Sequence, residues 1–179
     1  MVLIFLADGF EMIEALTPCD ILRRAGLDVR LVSLSDDKKA TSTHKVTVTT
    51  DMTLAEVDAN AMDMLILPGG MPGAENLFAS EKLLALVKKQ AKEKKPLAAI
   101  CAAPFILGRL GILKGHKATC YPGFEEELVG AFVSPGGVVR DGNLLTAKGM
   151  GVSLPFALEA VAMLCGEDKA RAIAAQVQA

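Results

Sequence analysis

VLIFLADGFEMIEALTPCDILRRAGLDVRLVSL, residues 2–34, is the stretch that decides the fold. It holds the apolar run 2–7, a stretch of helical periodicity over 13–25, and a second apolar run at 29–34. Strands that are apolar throughout must be covered on both faces, and two of them joined through a helix lie parallel. In the intervening helix Leu16, Ile21, Leu22 and Ala25 share one face, Arg23 and Arg24 complement the dipole at the C-terminal end, and Gly26 suits the residue after the stop. Pro18 falls early in this helix and is expected to bend it.

The same alternation continues outward. Residues 46–49 are a β-branched run that reads as an edge strand, whereas 64–67 are fully apolar and read as a central strand ending at Pro68-Gly69-Gly70. Ser80 can cap a helix that passes through Leu83, Leu84 and Val87 to the lysine-rich end at Lys92, Lys94 and Lys95. A buried strand at 97–100 leads through Cys101 into a helix over 104–110 that stops at Gly111. Beyond it come a short strand at 117–120, a hairpin over 138–147 turning at Asp141-Gly142, and helices over 152–165 and 167–177. The pattern predicts an α/β fold with a mostly parallel sheet, helices on both faces, and a site at the carboxyl ends of the strands.

At roughly 150 residues per domain, the 179 residues make a single domain, 1–179. Hydrophobic residues are 51% and charged residues 22%, a balance that supports a core and argues against disorder. The formal charge of -2 comes without a basic run, so nucleic-acid binding is not expected. The central uncharged stretch, 96–108, has 13 residues and two prolines, short of the about 18 that cross a membrane. The first strand runs straight into Asp8 and Gly9 without a cleavage-site pattern, so a cytoplasmic protein is expected. Cys19, Cys101, Cys120 and Cys165 form no C-x-x-C pair, and only His44 and His116 could assist them, so neither a metal site nor a cofactor is expected and the thiols should be free.

Three loops at strand ends carry candidate chemistry. Ala99-Ile100-Cys101-Ala102-Ala103-Pro104 has the small residues around a nucleophile that a tight strand-to-helix elbow requires, with Cys in place of Ser. The N–H groups at the helix start would lower the thiol pKa. A buried cysteine acting as a small hydrophobe is the alternative. Gly69-Gly70 offers backbone N–H groups without a Cβ in the way, as an oxyanion site needs, and is also compatible with an ordinary turn. In Asp8-Gly9-Phe10-Glu11-Met12-Ile13-Glu14, Glu11 suits the helix N-terminus, while Glu14, followed by Ala15 and Leu16, is expected to turn inward. A carboxyl beside a thiolate would keep its proton and could shuttle it.

These residues resemble the ThiJ/PfpI superfamily, in its Parkinsonism-associated protein deglycase branch. The likeness rests on Glu11-Met12-Ile13-Glu14, Asp20-Ile21-Leu22-Arg23-Arg24-Ala25-Gly26, Leu67-Pro68-Gly69-Gly70, Ala98-Ala99-Ile100-Cys101-Ala102-Ala103-Pro104 and Lys148-Gly149-Met150-Gly151, in the family's order along nearly the whole chain. The resemblance implies a flavodoxin-like three-layer sandwich, a homodimer, Cys101 as an oxidisable nucleophile, Glu14 as its proton-sharing partner, and Gly70 and Ala102 N–H groups as oxyanion donors. Arg23-Arg24 could also pair with acids of a second subunit. Many relatives have His-Pro where this chain has Tyr121-Pro122, and the protease-like branch has His where this chain has Ala102, so a Cys-His peptidase is not expected. His44 stands where relatives often carry an arginine and is a further pocket candidate, or a surface histidine.

The resemblance implies a cofactor-independent glyoxalase or deglycase acting on small 2-oxoaldehydes or early glycation adducts, with a role in oxidative-stress protection. A non-enzymatic redox sensor or redox-regulated chaperone acting through oxidation of Cys101 is the alternative. An amidotransferase-like hydrolase would need a histidine downstream of the nucleophile to serve as its base, and no histidine follows His116. No phosphate loop or metal set supports a thiamine-biosynthesis role.

Overall fold

The computed structural model describes residues 1–179. The strands are β1 (Val2–Leu6), β2 (Val29–Ser33), β3 (Lys39–Thr41), β4 (Thr47–Thr49), β5 (Met52–Thr53), β6 (Met64–Leu67), β7 (Leu97–Ile100), β8 (Lys117–Ala118), β9 (Phe132–Val133), β10 (Val138–Asp141) and β11 (Leu144–Ala147). The helices are α1 (Met12–Arg24), α2 (Gly73–Phe78), α3 (Glu81–Lys92), α4 (Pro104–Arg109), α5 (Ser153–Cys165) and α6 (Glu167–Gln176).

Seven strands form the main sheet in the order β10-β11-β7-β6-β1-β2-β5, parallel except for the β10–β11 hairpin. Alternating side chains divide the interior into two layers. Val2, Ile4 and Leu6 pack under α1, α5 and α6, whereas Leu3, Phe5, Leu65 and Leu67 pack under α2, α3 and α4. Burial on both faces is why β1, β6 and β7 are continuously apolar instead of alternating. The α/β sandwich with a mostly parallel sheet is therefore as expected. No helix is long and apolar enough to cross a membrane.

Chain direction across the sheet reverses at β1. From β1 the chain moves outward through β2 to β5, then returns to β6 on the other side and continues to β7. Such a switch point opens a crevice at the carboxyl ends of the strands. Into it run the loop from β1 to α1, the Gly69-Gly70 loop after β6 and the Cys101 turn after β7.

Local details follow the sequence in most places. Glu11 caps α1 by accepting the Glu14 N–H at 2.8 Å, and Ser80 caps α3 by accepting that of Leu83 at 3.3 Å. The helix α1 continues through Pro18. Two expectations need correction, and a third meets a competing contact. The β-branched run near Val46 is not an edge of the main sheet; Thr47–Thr49 pairs antiparallel with Lys39–Thr41 in a separate hairpin, and β5 holds the edge. Arg23 binds Asp51 at 2.8 Å and Arg24 binds Asp20 at 2.7 Å, so both arginines are already partnered within the chain. The β10–β11 turn lies at Gly142-Asn143, one residue beyond the expected position, because Asp141 pairs with Leu144.

Candidate active site

The end of β7 sets Cys101 in a turn that backbone hydrogen bonds hold on both sides. Its N–H donates to the Ala147 carbonyl at 2.9 Å, and its carbonyl accepts the Tyr121 N–H at 2.8 Å. The residue adopts φ +66, in the left-handed region that non-glycine residues avoid at a cost of about 1–3 kcal/mol. Ala102 and Ala103 are buried and Pro104 starts α4, so the small residues around Cys101 belong to a tight elbow. The side chain is half-buried.

Glu14, in the first turn of α1, reaches the same place. It is 1% exposed, and its Oε2 accepts the Gly69 N–H at 2.9 Å. Burial raises its pKa to about 7, helped by the neighbouring Glu11 charge and opposed by the Cys101 thiol and the amides of Gly69 and Met150. Burial also pushes the Cys101 thiol up, to about 12, with the Glu14 charge adding to the rise and the amides of Gly70 and Ala102 opposing it. The lowered thiol pKa expected from the elbow is thus overturned. The helix start acts on the sulfur through its amides, but desolvation and a carboxylate outweigh it, and α4 is only six residues long.

The two groups are better described as one acid pair than as two independent acids. Burial and mutual repulsion allow them one negative charge between them, which appears as the first proton leaves near pH 7. Moving the remaining proton from sulfur to carboxyl leaves the net charge unchanged, so a thiolate can form without a second ionisation. The rate of Cys101 alkylation by iodoacetamide should therefore rise through an inflection near pH 7. Cys19 and Cys120 are buried and Cys165 is exposed, whereas Cys101 has the amides of Gly70 and Ala102 facing its sulfur. Peptide mass spectrometry at neutral pH should find Cys101 labelled first, and earlier labelling of Cys165 would contradict the assignment.

The glycines complete the site by leaving room. A Cβ at Gly69 would lie 2.6 Å from Cys101 Cβ and 2.8 Å from Glu14 Oε2. A Cβ at Gly70, which has φ +86, would lie 2.4 Å from the Glu11 nitrogen and 2.7 Å from the Gly9 carbonyl oxygen. Tyr121, half exposed, stands at the rim, whereas Pro122 is exposed and has no shown contact with the pair. His44 is exposed on the β3–β4 connection and forms no side-chain hydrogen bond or ion pair. His116 lies 3.4 Å from Asp141, away from the elbow, and supplies no base. No group of three or more His, Cys, Asp or Glu side chains is arranged to hold a metal. Gly149 is a neighbour the sequence reading left without a role. A Cβ there would stand 3.9 Å from Cys101 Sγ and 3.7 Å from Glu14 Oε1.

The sequence profile of the DJ-1/PfpI family matches residues 1–163. The chain belongs to the DJ-1/PfpI family. It is 40% identical to DJ-1 homolog B of Arabidopsis thaliana over 169 residues, 94% of this chain but only 39% of that longer relative. A deglycase of Pyrococcus abyssi is 36% identical over 149 residues, covering 82% of this chain and 89% of the relative. The structure of oxidized DJ-1 from Toxoplasma gondii superimposes with a TM-score of 0.95 at 35% identity, covering 99% of this chain and 97% of that one. The resemblance read from the five motifs holds, and a DJ-1-type function follows at that level.

Proposed function

We propose that the protein is a cofactor-independent, cysteine-dependent enzyme acting on 2-oxoaldehydes or early glycation adducts. The observation that carries this reading is the Cys101–Glu14 pair, in which a buried carboxyl with a pKa raised to about 7 adjoins a half-buried thiol. The family and its deglycase-named member support it.

In the reaction, Cys101 sulfur attacks the aldehyde carbon and the thiol proton passes through Glu14 to the aldehyde oxygen, giving a hemithioacetal. Glu14 then takes the proton from that carbon and returns one to the neighbouring ketone carbon, while the hemithioacetal hydroxyl proton passes to the ketone oxygen. The first carbon is oxidised and the second reduced, so no outside oxidant is needed, and the product on sulfur is the thioester of a 2-hydroxy acid. Water cleaves it and restores the thiol. The Gly70 and Ala102 amides stabilise negative charge at sulfur and on the adjacent oxygen.

A redox sensor or redox-regulated chaperone uses the same residues. The half-buried thiol is open to peroxide, and Glu14 can donate a hydrogen bond to a sulfinate. Lactate formation from methylglyoxal by the native protein and by Cys101→Ser separates the readings. Release of lactate that depends on Cys101 supports the enzyme, whereas sulfinate formation under peroxide without lactate release favours the sensor.

The family also supports a homodimer, and four free thiols suit a cytoplasmic setting in which they stay reduced. Arg23 and Arg24 already pair with Asp51 and Asp20 of their own chain, so any contact they make with acids of a second subunit competes with these pairs. Light scattering at micromolar concentration should give twice the monomer's 18.8 kDa; the monomer mass would contradict it.

A further inference from the structure

A cavity of about 320 Å³ opens in the crevice where the chain reverses direction, between the loops that follow β1 and β6. Its size lies within the roughly 300–1,000 Å³ of small-molecule sites, and none of Cys101, Glu14, Gly69 and Gly70 lines it. Asp8 and Gly9 after β1, Met71 and Pro72 after β6, Asn76 of α2 and the β3–β4 hairpin form its walls.

The chain itself holds these walls in place. The Gly9 N–H donates to the Thr41 carbonyl at 2.8 Å and the Thr43 N–H to the Phe10 carbonyl at 2.9 Å, which ties the β1–α1 loop to the hairpin. A Cβ at Gly9 would lie 2.6 Å from Pro72 Cδ, so the same loop also presses on the start of α2. Two side chains of the lining fasten it further. Thr43 Oγ1 donates to the Gly9 carbonyl at 2.6 Å, and Asn76 Nδ2 donates to the Asp8 carbonyl at 2.9 Å.

The groups these bonds leave free determine what fits. Asp8 Oδ1 accepts the Thr41 N–H at 2.8 Å, which leaves the second carboxylate oxygen, and Asn76 keeps its amide oxygen. Both are acceptors, and the bond from Asn76 to Asp8 holds the two residues together. Ser42 is only 3% exposed; its Oγ accepts the Val46 N–H at 3.1 Å, and its own proton goes to no group of the chain. Lys45 has φ +66, the same left-handed value as Cys101, and its ammonium forms no ion pair. Its N–H donates to the Ser42 carbonyl at 3.0 Å, so these two donors sit together on the hairpin. Asp8 and Lys45 are the only charged side chains of the lining, and they do not pair. A ligand with a single charge meets a like charge in this cavity, whereas one that carries both charges meets an opposite partner for each.

We propose that this cavity binds a small free α-amino acid as its zwitterion, with the ammonium on the Asp8 and Asn76 oxygens, the carboxylate on Ser42 and Lys45, and a short side chain against Met71. Binding here is independent of the aldehyde chemistry at Cys101, and the result at either site leaves the other untouched.

The probe is L-alanine, followed at neutral pH by amide nitrogen–proton NMR of the full chain. Signals of Gly9, Thr41, Lys45 and Asn76 should shift saturably at millimolar alanine. Asp8→Asn keeps an oxygen for the Thr41 N–H and removes the charge, and Lys45→Asn suits the left-handed backbone and removes the ammonium. Each should raise the Kd for alanine by about tenfold or more, the range of a hydrogen bond to a charged group. On the native protein N-acetylalanine and alaninamide, which each lack one charge, should bind more weakly by a similar factor, so the outcome does not hang on either variant's folding. The preferences should also invert, with N-acetylalanine binding Asp8→Asn more tightly than native and alaninamide doing so with Lys45→Asn. Absence of saturable shifts, an unchanged Kd in both variants, or native binding of N-acetylalanine or the neutral polyol sorbitol as tight as that of alanine would overturn the site.

Discussion

Glu14→Gln is expected to lower methylglyoxal turnover by about a hundredfold or more while making the folded protein more stable at pH 8. The loss follows from chemistry, since glutamine can hydrogen-bond but cannot take a proton from one carbon and return it to the next, and general acid–base catalysis contributes roughly 10²–10⁴-fold. The gain follows from linkage. Glu14 has a folded pKa of about 7 against an ordinary value of 4.5, so the folded state prefers the protonated carboxyl. The stability this provides is complete below pH 4.5 and is lost as pH rises through 7. Glutamine stays neutral and keeps it. At about 1.4 kcal/mol per pKa unit, reduced because the amide does not reproduce every carboxyl hydrogen bond, the variant should gain about 1–3 kcal/mol at pH 8 and little at pH 5. Urea unfolding at the two pH values measures it. The inflection near pH 7 in Cys101 alkylation should vanish, leaving one set by the thiol without the neighbouring carboxylate that now helps to raise it. A variant with native turnover would make Glu14 a helix-start carboxylate only.

The second large effect is structural. Gly70→Ala should destabilise the fold by about 3–5 kcal/mol, combining overpacking with the cost of φ +86 for an L-residue. The atoms that the new Cβ would meet at 2.4 and 2.7 Å are backbone, from Glu11 and Gly9, and backbone cannot swing aside as a side chain can. The Gly70 amide that faces Cys101 would move with them. At about 2–4 °C per kcal/mol for a chain of this size, calorimetry should show Tm lower by roughly 10 °C. Unchanged Tm would mean that the two loops do not meet as described.

Both effects depend on contacts that the sequence showed unevenly. Continuous apolar runs located β1, β6 and β7, because strands buried on both faces have no polar side to show. Ala99, Ala102 and Ala103 located the elbow, since a tight turn excludes bulk. Strands Lys39–Thr41, Met52–Thr53 and Phe132–Val133 are two or three residues long and were missed, as too few positions exist for a period to emerge. Helix Gly73–Phe78 follows Met71-Pro72, and its short, turn-like opening concealed it.

The site was legible in its members but less so in its electrostatics. Glu14 facing inward could be inferred from Ala15 and Leu16, and Cys101 from its neighbours. The balance between burial and amide donors at the sulfur depends on how much water the packed loops exclude, a property of the assembled fold. Gly149 lies 48 residues from Cys101 in sequence, and only the β7–β11 pairing carries the chain from one to the other.

The most direct measurement follows the protein itself during the reaction, by rapid quenching with methylglyoxal and mass spectrometry of the intact chain and its peptides. The account predicts an adduct on Cys101 that forms and decays as lactate appears, is absent in Cys101→Ser, and in Glu14→Gln accumulates without lactate. Lactate appearing with no adduct on Cys101, or at the same rate in Cys101→Ser, would contradict it.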